Sequence, residues 1–277
     1  MTSQSAAPWG SAFRVAASKK WRRQSAAMGG GVTQAIVQLA AAQPGMRVLD
    51  LACGTGEPAI SLASQVGDAG RVVAIDINGE LLAVARGRAQ QRALGNLALQ
   101  QADAHALPFA DASFDLVTSR FGVMFFDHIA SALAEARRVL RPRGRIALLA
   151  WGPFEQPYFL STIAVVLRHV PGPMLRPGAP NMFRFSQPGS LTAVLHQAGF
   201  APIEERTLTV PWSWPGSPEE VWEYFREVTA PFRPLFTRIP PAKAEHIDAE
   251  VITAIRRYYD GQQVNFTADV VLVSAQK

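Results

Sequence analysis

The sequence predicts an α/β protein with a mostly parallel sheet covered by helices on both faces. Three observations carry that expectation. From about residue 33 to 151, short apolar strands alternate with helices. A strand at residues 48–51 runs directly into the glycine loop Cys53-Gly54-Thr55-Gly56. After Trp151 the rhythm stops, and 15 of the 20 prolines fall between Pro153 and Pro241. Short apolar strands joined by helical crossovers belong to parallel sheets, whose two faces the crossovers cover.

Each element follows in order. Residues 33–42 read as a helix, stopped by the turn Gln43-Pro44-Gly45. After the strand at 48–51, residues 57–66 form the next helix, with Pro58 in its first turn, where the missing N–H costs nothing. Gly67-Asp68-Ala69-Gly70 turns the chain into a strand at 71–75 that ends at Asp76. Residues 79–93 are helical, with Leu81, Leu82, Val84 and Ala85 as the apolar face. Strands at 97–101 and 114–118, a helix at 129–140 and a strand at 145–151 complete the rhythm. Beyond it, 153–187 reads as an insertion or lid holding a helix at 159–170. Residues 188–198 form a sheet-covering helix ended by Gly199. Residues 203–210 alternate as a strand, and 215–263 is a second, helical insertion. The final strand, 266–274, is expected to run antiparallel, because no regular helical crossover precedes it. The domain reading is therefore a basic N-terminal arm or lid at 1–32 and a single domain at 33–277 carrying two insertions.

With 277 residues, 48% of them hydrophobic and 18% charged, the chain has the material for a large core and is not a disordered protein. One cysteine, Cys53, excludes a disulfide framework or a Cys-rich zinc site and points to a reducing, cytoplasmic setting. No apolar run approaches the roughly 20 residues that span a bilayer. The start of the chain also lacks the apolar segment of a secretory signal.

Basic residues outnumber acidic ones by 27 to 22, and the excess is local. No Asp or Glu precedes Asp50, while Arg14, Lys19, Lys20, Arg22, Arg23 and Arg47 give that stretch +6. A nucleic-acid binder spreads its positive charge over a binding face, which argues against that partner class. Three readings of the arm stay open. It is a solvated helix with Phe13, Ala17 and Trp21 on its apolar side, a peripheral contact with an anionic membrane surface, or a transit peptide.

The segment Val48-Leu-Asp50-Leu-Ala-Cys53-Gly54-Thr55-Gly56-Glu57-Pro58-Ala59 carries the chemistry. Glycines let the backbone turn at positive φ and let a ligand approach the main chain. The emerging helix offers unpaired N–H groups to an anionic group. Twenty residues past Gly56, Asp76 ends the second strand, where a carboxylate accepts from a ribose diol. Together these features indicate a nucleoside-bearing cofactor. They do not separate a nicotinamide dinucleotide from S-adenosylmethionine, since Gly54-x-Gly56-x-x-Ala59 also satisfies the dinucleotide pattern.

Further motifs bear on that choice: Val73-Ala-Ile-Asp76, Asp103-Ala-His-Ala-Leu-Pro-Phe109, Ser113-Phe-Asp115-Leu-Val and Leu140-Arg-Pro-Arg-Gly144-Arg. With the glycine loop they make residues 46–151 resemble a class I S-adenosylmethionine-dependent methyltransferase, of the group that includes the ubiquinone/menaquinone C-methyltransferases. The resemblance implies a Rossmann-like, seven-stranded sheet whose last strand is antiparallel. It implies S-adenosylmethionine as cofactor, with Gly54, Thr55 and Gly56 at its methionine part and Asp50 orienting the loop or the amino group. Asp76 would take the ribose hydroxyls, Ile77 the adenine face, and Asp103 with the Ala104 N–H the adenine edge. Arg120 would close over the methionine end. It implies methyl transfer by direct SN2 displacement, releasing S-adenosylhomocysteine. Two departures stand out. The quinone enzymes carry Gly-Leu-Arg-Asn after the Phe that follows strand four, where this chain has Phe121-Gly-Val-Met-Phe-Phe126, and their shared C-terminal ending is missing.

For a proton acceptor, the first choice is His128, at the mouth of the site after Phe126-Asp127; its other reading is a surface histidine at a helix start. His105 reads as structural. Acceptor recognition falls to the arm and the insertions, which hold Tyr158, Trp212, Trp214, Trp222 and Tyr224. Such aromatic walls suit a small apolar or aromatic acceptor, and they serve equally as the insertions' own cores. Against methyl transfer stand two other function classes. A nicotinamide-dependent oxidoreductase would want a Tyr-x-x-x-Lys pair after strand four, which is absent. The remaining class is a catalytically silent cofactor-binding protein.

Overall fold

The computed structural model describes residues 12–175 and 181–277. Positions 1–11 of the arm, 176–180 of the first insertion and the side chain of Phe13 lie outside the described residues.

In chain order the helices and strands are α1 (Ala12–Lys20), α2 (Arg22–Met28), α3 (Gly30–Ala40), β1 (Arg47–Leu51), α4 (Ala59–Val66), β2 (Arg71–Asp76), α5 (Gly79–Gln91), β3 (Leu97–Gln101), β4 (Phe114–Arg120), α6 (Ile129–Val139) and β5 (Leu140–Trp151). There follow α7 (Pro157–Leu160), α8 (Ile163–Leu167), α9 (Ser190–Gln197), β6 (Ile203–Pro215), α10 (Pro218–Val228), α11 (Arg233–Phe236), α12 (Pro241–Arg256) and β7 (Gln263–Gln276). Among the described residues no helix is long and apolar enough to cross a membrane.

The strands form one seven-stranded sheet in the order β3-β2-β1-β4-β5-β7-β6. β1 to β5 pair in parallel, and β7 runs antiparallel to β5. β6 is antiparallel to β7 in turn, since Ala201 and Pro202 meet Gln276 while Thr209 meets Asp269. Val48, Leu49, Val72, Ala74, Leu116 and Val117 are all buried, as strands covered on both faces require. The crossovers through α4 and α5 step one way from β1, and the crossover through α6 steps the other way from β4. Right-handed connections then put α4 and α5 on one face and α6 on the opposite face. The order reverses between β1 and β4, so the ligand crevice opens at the carboxyl ends of those two strands.

Two compact units divide the chain. One comprises Val32–Pro153, Met182–Val210 and Asp269–Lys277; the other comprises Met1–Gly31, Phe154–Asn181 and Pro211–Ala268. The second unit has an aromatic core of its own. Phe225 and Phe232 stack at 5.9 Å, Tyr158 meets Phe225 and Phe266 edge-on at 5.1 and 5.6 Å, and the Trp222 Nε1–H donates to Asp248 at 2.6 Å. Trp214 and Trp222 are fully buried there, so for these two the reading as insertion core is the correct one. The arm joins the same core. Val15, Ala17 and Trp21 are buried, Trp21 lies 5.4 Å from Trp214, and Lys20 pairs with Glu223 and Glu227 at 2.6 and 2.9 Å. α10 opens with a capping box, Ser217 and Glu220, and with Pro218 in its first turn.

Several expected boundaries move. The helix at 57–66 starts only at Ala59, with Pro58 as its N-cap, because Glu57 turns back to accept from the Ser61 N–H and hydroxyl at 3.2 and 2.7 Å. The expected helix at 159–170 is two short ones. Thr162 breaks it at φ −118°, ψ −86°, its hydroxyl bonding the Tyr158 carbonyl at 2.6 Å in competition with the backbone ladder. β6 continues through Pro211 to Pro215, which the prolines permit because β6 is an edge strand.

Candidate active site

The glycine loop takes its shape from three glycine or near-glycine conformations after β1. Ala52, Gly54 and Gly56 have φ of +54°, +54° and +107°. Gly56 is required by its backbone, since φ of +107° strains any L side chain, and a Cβ there would also crowd Ile60 Cδ1 at 2.7 Å and Ala85 Cβ at 3.2 Å. Gly54 differs: a Cβ would meet no protein atom within 4 Å, so the loop faces open space at that point. Across the switch point Phe121, directly after β4, also has a left-handed φ of +60°. A bulky residue there costs on the order of 1–3 kcal/mol and persists where surrounding structure fixes it. Here the Phe121 ring stacks on Trp151 at 4.3 Å, and its N–H donates to the Leu149 carbonyl at 2.8 Å. Neither Ala52 nor Phe121 is a residue type that announces such a backbone in sequence.

Asp50 lies under this loop, fully buried. Its Oδ1 accepts from the Thr118 hydroxyl at 2.7 Å, while Oδ2 has no hydrogen-bond partner. Burial pushes the Asp50 carboxyl up to about 7; the Thr118 hydroxyl and the Arg120 charge pull it the other way. A buried carboxylate oxygen without a partner is costly in isolation and fits a cationic group arriving from the crevice. Cys53, between them, is buried, and burial raises its thiol well above the ordinary range, so it is no nucleophile.

Asp76 is the last residue of β2 and ties two turns together. Oδ2 accepts from the Gly54 N–H and Oδ1 from the Asn78 N–H, both at 2.8 Å. The cap of α5 is Asn78, whose side chain accepts from the Glu80 and Leu81 N–H groups. Next to it Ile77 is 57% exposed, an apolar surface beside a carboxylate. Asp103 follows β3, and its Oδ1 accepts from the His105 N–H at 2.9 Å and contacts the ring Nδ1 at 2.6 Å. Partial burial raises the Asp103 carboxyl, but these two contacts outweigh it and hold it below the usual value. Ala104 is buried beside it. Arg120 is the final residue of β4 itself, two residues beyond the expected strand end, and its Nη1 donates to the Thr33 hydroxyl of α3 at 2.8 Å.

His128 stands exposed at the N-cap of α6. Its backbone N–H donates to His105 Nε2 at 3.3 Å, and its ring meets the His105 ring edge-on at 6.1 Å. His105 therefore joins the loop after β3 to the start of α6.

Sequence reasoning missed the groups that brace these loops. Arg88 of α5 donates to the Thr55 carbonyl and hydroxyl at 2.7 and 3.2 Å and pairs with Glu57 at 3.5 Å. Arg138 of α6 donates to the carbonyls of Leu107 and Phe109 at 3.0 and 2.7 Å, while Glu135 accepts from the Leu107 N–H at 2.7 Å. Glu135 and Arg138 were legible only as an ordinary helical charge pair, and no spacing links Arg88 to Thr55.

The comparisons with known proteins bear on the family and the fold. Residues 32–171 match the family model of the ubiE/COQ5 methyltransferase family. The ubiquinone/menaquinone biosynthesis C-methyltransferase UbiE of Cupriavidus metallidurans is 36% identical over 176 residues, which cover 60% of this chain and 72% of that protein. Two solved structures share the fold. The YcgJ protein of Bacillus subtilis superposes with a TM-score of 0.58 at 21% identity, covering 88% of this chain and 97% of that one. Phosphoethanolamine N-methyltransferase 2 of Haemonchus contortus, solved with S-adenosyl-L-methionine, gives 0.56 at 16% identity, covering 96% of this chain and 60% of that one. On the family match and this relative together, the chain belongs to the ubiE/COQ5 methyltransferase family and is an S-adenosylmethionine-dependent methyltransferase.

Proposed function

We propose that the protein methylates a small apolar or aromatic acceptor by direct SN2 displacement at S-adenosylmethionine, releasing S-adenosylhomocysteine. The observation that carries the site assignment is Asp50 Oδ2, a fully buried carboxylate oxygen without a partner beneath a loop that faces open space at Gly54. The cofactor supplies the electrophilic methyl group. The chain's part is to hold and shield. Asp50 meets the ammonium of the methionine part, with Gly54, Thr55 and Gly56 along it and Arg120 at its end. Asp76 accepts from the ribose, Ile77 covers one adenine face, and Asp103 with the Ala104 N–H reads the adenine edge. Holding an acceptor in line with the reacting bond contributes about 7–11 kcal/mol, more than any single side chain here.

Where the acceptor must lose a proton, we assign that role to His128, whose exposed ring lies beside the loop after β3. The relative's name points to a quinone ring carbon. The run Phe121-Gly-Val-Met-Phe-Phe126 departs from that group, so we assign the broader class of apolar and aromatic acceptors, selected by that run. The test is isothermal titration with S-adenosylmethionine, S-adenosylhomocysteine and NAD. One equivalent of each sulfur compound and none of NAD is expected; dinucleotide binding at the same site would overturn the assignment. His128→Gln should flatten the pH dependence of turnover while leaving cofactor affinity unchanged, and an unaltered pH profile would remove His128 from the chemistry.

A further inference from the structure

In the second unit, which holds none of the cofactor motifs, three metal-ligating side chains converge. His169 follows α8, and His246 and Glu250 lie one turn apart on α12, on the same helical face. His169 Nε2 lies 2.9 Å from Glu250 Oε2, and His246 Nε2 lies 3.2 Å from Glu250 Oε1. One ligand atom from each residue can be chosen so that all three lie within 4.8 Å of one another. The two imidazole rings stand 5.5 Å apart at 87°. The backbones beneath are anchored, because Ile163 and Val166 of α8 and Ile247, Val251 and Ile255 of α12 are all fully buried. The side chains themselves reach solvent, with His246 66% and Glu250 33% exposed, so an ion has an entry path.

We propose that His169, His246 and Glu250 form a binding site for a borderline divalent cation, zinc foremost, that clamps α8 to α12. The chemistry of the donors sets the class. Two imidazole nitrogens and one carboxylate oxygen favour zinc and its late first-row neighbours over magnesium or calcium, which want oxygen ligands throughout. The spacing suits it as well. Donors about 2.0–2.2 Å from a tetrahedral zinc stand about 3.3 Å apart; the two histidines here meet different Glu250 oxygens, and with the three donor atoms within 4.8 Å of one another, closing on one ion takes only a modest side-chain adjustment. Three protein ligands leave a fourth position for water.

Arg168 supplies the counter-argument and the sharpest test. Its Nη2 lies 3.0 Å from Glu250 Oε2, where it competes with a cation for the same oxygen. If the cluster were only an ion-paired carboxylate, removing Arg168 would have no consequence for metals. In a cation site, removing that positive charge strengthens metal binding.

The experiment uses the full chain, titrated with zinc chloride by calorimetry and with cobalt(II) by visible absorption. Expected are one saturating equivalent of zinc, a tetrahedral cobalt spectrum, and a melting temperature that rises with zinc and falls back on chelation. His169→Ala and His246→Ala should each weaken zinc binding at least tenfold. Arg168→Ala should tighten it. Absence of saturable binding would overturn the proposal. So would binding that survives both histidine substitutions, which would place the ion elsewhere, for instance at His105 and His128. Weaker zinc binding in Arg168→Ala would also overturn it. His246 is largely exposed, so the fold of that variant is not at issue and its result stands alone.

Discussion

The two units solve different problems, and they differ in how far their sequences announce the solution. On the function proposed for it, the sheet unit must present backbone and carboxylate groups at fixed points around a polar cofactor. That task demands particular residue types, such as Gly56, whose φ of +107° disfavours any side chain, and Asp76 bridging two turns. The second unit must cover apolar surface with aromatic rings, and many sequences accomplish that. Its tryptophans therefore give no motif, and only burial separates the structural ones from the rest. A motif records where geometry leaves a single residue type; a core records only volume and polarity.

The largest effect that tests this contrast is in the second unit. Trp222 is 2% exposed and its indole N–H is bonded to Asp248. Trp222→Ala should cost about 3–5 kcal/mol of stability, from lost burial, the cavity left behind and an abandoned carboxylate partner. Cofactor affinity in the folded fraction should hold. A melt combined with a cofactor titration on the same sample reads both. A stable variant with damaged cofactor binding would reverse the roles given to the two units.

The next effect belongs to Asp50 and depends on pH. Its carboxyl is raised from the model-compound value of 3.8 to about 7 in the folded protein. The folded state therefore keeps a proton that the unfolded chain has already released. Stability from this group is fully present below the unfolded value and is lost as pH rises toward about 7, at up to about 1.4 kcal/mol per pH unit. Above about 7 the loss levels off. Asp50→Asn, unable to ionise, should gain on the wild type across that window in urea titrations without cofactor. Parallel stability curves would mean that the carboxyl is not raised. A cationic group at Oδ2 favours the charged form, so cofactor binding near pH 6.5 should release protons from the wild type and fewer from Asp50→Asn. Calorimetry in buffers of different ionisation enthalpy measures that difference.

Smaller again is the effect of Asp76→Ala on S-adenosylmethionine affinity. Hydrogen bonds to charged groups contribute about 1.5–3 kcal/mol, so binding should weaken tenfold or more. Part of that loss comes through the loop, because Gly54 and Asn78 lose the acceptor for their N–H groups. Asp103→Ala should act the same way more weakly, since the Ala104 backbone stays in place. An unchanged dissociation constant for Asp76→Ala would remove it from the site.

These residues show what a single sequence makes legible. The alternation of strands and helices, the glycine loop and Asp76 follow from a period, a turn chemistry and a spacing, all local in the chain. The braces Arg88 to Thr55 and Arg138 to Leu107 join elements 33 and 31 positions apart, and their arginines look like any solvated helix face. The split of the expected helix at 159–170 was hidden for another reason. Thr162 has a helix-compatible side chain, and only its bond to the Tyr158 carbonyl shows that it diverts the chain. The left-handed Ala52 and Phe121 could not be read at all, because neither residue type favours that backbone.

Trp212 offers the smallest effect and the finest division of the second unit. It is the one tryptophan among the described residues that is not buried, while Trp214 and Trp222, a few positions on, are sealed in the core. Its ring still meets Tyr158 edge-on at 5.8 Å, so it extends the core cluster toward solvent. Aromatic pairs of this kind contribute about 0.5–1.5 kcal/mol beyond area burial. Trp212→Leu should therefore lower the melting temperature far less than Trp222→Ala does. If Trp212 selects the acceptor, the same substitution should raise the acceptor KM several-fold while S-adenosylmethionine affinity and the pH profile stay put. A change in stability with no change in KM would make Trp212 the rim of the core and nothing more. Acceptor selection would then rest with the run from Phe121 to Phe126, inside the unit whose sequence is otherwise the more legible of the two.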